Sequence, residues 1–125
     1  MTASSIAYSA SASGVYVSTE LYKKLGIEAD VMPKSRRILS ERVAAVVARG
    51  DAEIGFQQIS EIIGIPGAEL VGPLPKEVQQ VTVFTAGVLT KAGQPDAAVE
   101  LIRFLSSADA AETVASTGLD PITRT

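Results

Sequence analysis

The chain contains no cysteine and no histidine among its 125 residues. The first absence excludes disulfides, zinc–thiolate sites and iron–sulfur clusters built from this chain. The second excludes Ser–His–Asp and Cys–His devices, because no imidazole exists to act as base. A lack of cysteine does not set the compartment. Basic residues are also in deficit: the net charge is −3, which argues against a general nucleic-acid binder. The one basic cluster, Lys34-Ser35-Arg36-Arg37, reads as a solvated loop whose steering salt would screen. No run approaches the roughly 20 apolar residues of a membrane span. The N-terminus has neither the basic start nor the apolar stretch of a signal peptide. The expectation is a cytosolic chain, or one whose natural N-terminus lies elsewhere.

Apolar residues make up 46% and charged residues 20%, the balance of a globular domain with a real core. Ser5–Tyr8 reads as a strand. Val17, Leu21 and Leu25 form one stripe of a helix that Gly26 ends. Ala29–Lys34 is a second expected strand. Ser40 is read as the N-cap of a helix with Val43, Val46 and Val47 inward, closed by Gly50. Ala52–Phe56 is the third strand. The order β-α-β-α-β predicts an α/β fold with a mainly parallel sheet flanked by helices.

Further on, Ile59–Ile63 is expected to form one or two helical turns, and Glu69–Val71 a short strand. The β-branched run Val81–Leu89 reads as a longer strand. Pro95 opens a helix whose stripe is Ala98, Leu101, Ile102 and Leu105. Ser107 caps another helix, ended by Gly118.

The uncharged stretch Ser9-Ala10-Ser11-Ala12-Ser13-Gly14 sits between the first strand and the first helix. A helix start exposes unpaired N–H groups, and small residues let a ligand approach them. Ser9, Ser11, Ser13 and the backbone of Gly14 thus read as a neutral cradle for an oxyanion. The same residues also read as a plain serine N-cap with solvated neighbours. The stretch is not a nucleotide-binding P-loop, because no lysine follows the glycine. The Ser40–Val43 helix start and Gln57-Gln58 fall on the same expected sheet edge, where ligands of parallel sheets bind.

With these residues in order, the chain resembles the molybdate-type (type 2) branch of extracellular solute-binding proteins of ABC importers. The blocks that carry the likeness are SASASGVY, SERVAAVVARGDAEIGFQQISEI, GAELVGPLPKEVQQVTVFTAGV and AAVELIRFLSSADAAETVASTGLDP. The resemblance implies a periplasmic, non-catalytic binder without cofactor, taking a molybdate-, tungstate- or sulfate-like anion and serving an ABC permease. It implies that residues 1–80 form the second lobe of a periplasmic-binding-protein type 2-like clamp. Residues 81–125 would be a return strand plus helices completing the other lobe. It places ligand contacts at Ala12 and Ser13, at the Val43 backbone and at Gln58, beside Ser11 and Gly14 from the loop itself. Some molybdate binders have tyrosine at the Gln58 position.

Such clamps are about twice this long, so the expectation is a truncated C-terminal part. Its helices either fold back on their own sheet or pair two chains into a homodimer, for instance by swapping residues 81–118. The alternative reading is a small cofactor-free isomerase or hydrolase, with its acid/base pair drawn from Tyr8, Tyr16, Asp51 and Glu61.

Overall fold

The fold comes from a computed structural model that describes residues 2–123. Three short strands, β1 (Ile6–Ser9), β2 (Ser35–Ile38) and β3 (Ile54–Phe56), form a sheet in the order β2-β1-β3. Both pairings are parallel, with Tyr8 opposite Arg37 on one side and Phe56 on the other. The expected α/β class with a parallel sheet flanked by helices is therefore what forms.

The central strand alternates its side chains. Ile6 packs with Tyr16, Val17, Leu21, Tyr22 and Val31 on one face, with Tyr8 at its margin. Ala7 packs with Ile38, Val43, Val46 and Ala52 on the other. This period of two gives β1 a helical layer on each side. The first layer is a continuous helical run: α1 (Ala12–Tyr16), a π-helical turn Val17–Leu21, and α2 (Tyr22–Lys24). Gly26, at φ 66°, ends it in the left-handed region. The second layer is α4 (Val43–Ala48), followed by Gly50 at φ 87°.

Close packing explains two other glycines. A Cβ on Gly14 would lie 1.5 Å from the Ser9 carbonyl oxygen. One on Gly55 would lie 2.6 Å from Val43 Cγ1. The helix starts thus press directly on the strands, which only a residue without a side chain permits.

The second strand differs from expectation. Residues 29–34 are helical: α3 (Glu28–Val31) runs into a 3-10 turn Met32–Lys34, and β2 begins only at Ser35. Pro33 has no N–H to give a ladder, and Val31 is fully buried as an anchor of the first core cluster. The true strand carries exposed Arg36 and Arg37. An edge strand tolerates, even favours, such charge, so its pattern is not hydrophobic.

Beyond β3 come α5 (Ile59–Ile62), α6 (Pro95–Leu105) and α7 (Ala108–Ser116). The chain divides into two units, Met1–Thr82 and Val83–Thr125. In the first, residues 74–78 return to the core: Leu74 and Val78 pack on it, and Tyr16 OH donates to the Val78 carbonyl. In the second, α6 and α7 pack on one another. The expected strands Glu69–Val71 and Val81–Leu89 do not form. Val81, Val83, Phe84 and Leu89 are 58–80% exposed. A strand exists only through the ladder it shares with a neighbour, and among the described residues none is offered to this run.

Candidate functional site

The parallel sheet gathers three chain segments at the C-terminal ends of its strands. They are Ser9–Gly14 after β1, Ser40–Val43 after β2, and Gln57–Glu61 after β3. The order β2-β1-β3 sends successive connections to opposite sides of β1. The crevice of such a fold lies between β1 and β3, where ligands of open α/β sheets bind.

After β1, Ala10 N–H donates to the Ile38 carbonyl at 3.0 Å, which ties the loop to β2. Ser11 N–H donates to Ser9 Oγ at 2.9 Å. The hydroxyls then form a row: Ser9 Oγ to Ser11 Oγ at 2.6 Å, and Ser11 Oγ to Ser13 Oγ at 3.1 Å. Ser9 is buried and Ser11 exposed. Ser11 stands at the N-cap position with extended backbone, yet its hydroxyl makes no cap bond. The first-turn N–H groups of Ala12, Ser13 and Gly14 therefore have no partner among the described residues, as the geometry of a helix start dictates. They lie beside a row of hydroxyls that can donate or accept.

After β2, the N-cap of α4 is Arg42 rather than Ser40. Val43 N–H, expected to face a ligand, donates at 2.9 Å to Gln57 Oε1. A ligand at this helix start would meet an amide already in place. Gln58 is the half-buried N-cap of α5, and its side chain makes no cap bond. Of the two adjacent glutamines, Gln57 is thus the one that joins β3 to α4. Both glutamines lie beyond the end of β3, so strand alternation does not decide which of them meets the neighbouring helix.

Two features of this edge are invisible in the residue pattern. Arg42 Nε lies 3.1 Å from Glu61 Oε2, a bridge between the loop after β2 and α5. Arg49 makes a two-pronged hydrogen bond to Glu41, both contacts 2.6 Å, and a third of 2.5 Å to Asp51. Those bonds hold the Glu41 and Asp51 carboxyls below the usual carboxylate range and raise the Arg49 guanidinium. Asp51 and Arg49 brace the loop that carries Arg42.

The remaining acid/base candidates are dispersed. Tyr16 is buried, its hydroxyl committed to Val78. Tyr8 is half-buried at the end of β1. Glu61 is on the edge, paired with Arg42. A cavity of about 40 Å³ between α4 and β3, lined by Val43, Val47, Gly55, Gln57 and Glu69, has room for a few waters. The site of this unit is an open rim of donors rather than an enclosed pocket.

A parallel α/β lobe with a donor-lined rim is the architecture of a ligand-holding domain, and the chain belongs to the bacterial extracellular solute-binding protein family, whose profile matches residues 3–120. Over 120 residues it is 43% identical to a protein named aconitate isomerase from a Pseudomonas species. The match covers 96% of this chain and 46% of that protein, so the chain spans about half the length of that curated relative. No solved structure matches.

The relative corrects the functional expectation. Its name is that of an enzyme, which overturns the non-catalytic reading, and nothing points to molybdate or to ABC transport. The balance moves to the isomerase alternative. The error has a physical source. A cradle of neutral donors holds a carboxylate as readily as a tetrahedral oxyanion, since both present oxygen acceptors to N–H and O–H groups. No helix among the described residues is long and apolar enough to cross a membrane.

Proposed function

We propose that this chain forms one α/β lobe of an isomerase acting on an aconitate-like polycarboxylate. The observation that carries the reading is the 43% identity, over 120 residues, to aconitate isomerase. The rim supports it chemically. Aconitate presents three carboxylates around one carbon–carbon double bond. The hydroxyls of Ser11 and Ser13, the first-turn N–H groups of Ala12, Ser13 and Gly14, and the amides of Gln57 and Gln58 are donors suited to carboxylate oxygens. Isomerisation leaves the atom count unchanged, so a group that takes and returns one proton is sufficient. Glu61 and Tyr8 are two acid/base candidates here that Arg49 does not engage.

In the same reading, residues 1–80 are the second lobe of a type 2-like clamp. Residues 81–125 belong with the opposing lobe, and the protein works outside the cytoplasm. The exposed apolar face of α6, with Leu101, Phe104 and Leu105 each more than half exposed, supports a partner surface there. Pairing of two copies through residues 81–118 would cover the same face.

The test is a proton NMR time course of cis-aconitate with the protein, paired with a titration of the protein by aconitate. Appearance of the trans isomer is expected, together with shifts of the Ser11, Ser13 and Gln57 amide signals. Neither turnover nor binding at millimolar aconitate would overturn the proposal.

A further inference from the structure

Two arginines flank α4, Arg42 at its start and Arg49 at its end, and they are used differently. Arg49 spends its guanidinium on Glu41 and Asp51 through three hydrogen bonds. The Arg42 guanidinium has a single partner, Glu61, at 3.1 Å through Nε, and makes no hydrogen bond among the described residues. Its terminal nitrogens, the planar fork that matches a carboxylate, are unengaged. Both side chains of the Arg42–Glu61 pair are about half exposed, 54% and 42%, so the pair adds little to folding. Its position is more telling than its strength. Arg42 immediately precedes the Val43 amide that Gln57 holds, and Glu61 lies three residues beyond Gln58 on the first turn after β3.

A polycarboxylate bound only by hydroxyls and amides keeps its full negative charge in a chain whose own net charge is −3. A cation on the rim removes that conflict. We propose that Arg42 receives a substrate carboxylate, and that Glu61 is the resting partner which this carboxylate displaces. The inference rests on the polycarboxylate reading above and deepens it by naming the charged contact. Glu61 then competes with substrate for one guanidinium, which fixes the sign of its effect. Removing the Glu61 charge tightens binding, and removing the Arg42 charge weakens it. A purely structural pair would behave otherwise: both changes would be neutral, or both would weaken binding through the loops they tie.

The experiment is a calorimetric titration with cis-aconitate of the unmodified protein and of Arg42→Gln, Arg42→Lys and Glu61→Gln, each checked by thermal melt. Arg42→Gln is expected to raise Kd about ten- to hundredfold, the loss of a charged hydrogen-bonded contact. Arg42→Lys is expected to fall between, because an ammonium is not a fork. Glu61→Gln is expected to lower Kd by about threefold or more. An Arg42→Gln Kd within twofold of the unmodified protein, or weaker binding by Glu61→Gln, overturns the inference while the polycarboxylate reading stands. Should Arg42→Gln fail to fold, the sign of the Glu61→Gln change decides alone. Failure of the unmodified protein to bind aconitate overturns both.

Discussion

The units Met1–Thr82 and Val83–Thr125 are built from equally regular patterns but end in different states. In the first, β1 is enclosed by two helical layers, and Ile6, Leu21, Tyr22, Val31, Val43 and Val46 are all but inaccessible. In the second, α6 has an amphipathic face as clear as any in the chain. Yet Leu101, Phe104 and Leu105 are 52–57% exposed, and among the described residues of this unit Ala110 is the buried hydrophobic one. A hydrophobic stripe specifies a helix locally, through spacing and end signals. Burial is a property of two surfaces and needs a partner.

The comparison can be broken most severely at Gly14. Gly14→Ala is expected to be the largest single loss, because the new Cβ would meet the Ser9 carbonyl, a backbone atom that cannot rotate away. Urea unfolding should find it more damaging than Leu21→Ala, itself expected to cost about 2–5 kcal/mol as a core truncation. Tyr22→Phe comes next. The Tyr22 hydroxyl meets Ser35 Oγ at 3.1 Å while Ser35 also bonds the Val31 carbonyl at 2.7 Å. Losing one such contact should cost about 1 kcal/mol.

Acid should then act weakly on the first unit. Arg49 lowers the folded-state pKa of Glu41 and Asp51. Their contribution is therefore present above the ordinary carboxylate pKa of about 4 and is lost as pH falls through the lower folded values. The urea midpoint should drop between pH 5 and pH 3, and Arg49→Gln should reduce that drop; an unchanged drop would remove the brace from the account. The smallest effect is expected from Leu101→Ala, within about 0.5 kcal/mol, as for other exposed positions. A loss there as large as that of Leu21→Ala would mean that α6 is covered in solution.

Much of the helix framework of both units is legible in the residues. Gly26 and Gly50 mark helix ends in the chain and in space, and Pro95 and Ser107 mark the starts of α6 and α7. Other elements mislead for identifiable reasons. Val31 suggests a strand because it is apolar and β-branched, whereas it anchors a helix. Arg36 and Arg37 hide a strand because an edge position lets them remain solvated. Val81–Leu89 is rich in β-branched residues and has no strand neighbour among the described residues. The serine loop is visible by its composition, and the structure adds that Ser11 joins a hydroxyl row instead of capping its helix.

By itself, the order of residues determined the succession β-α-β-α-β, the parallel sense it entails and the edge on which polar loops collect. Those follow from spacing, end signals and handedness, all of which act within a few tens of residues. Only the tertiary structure decided that Gln57 meets Val43, that Arg42 meets Glu61 and that Arg49 meets Glu41. Hydrogen bonds and ion pairs form over about 3 Å, and nothing in the local pattern of one loop states which group of another loop will stand that close.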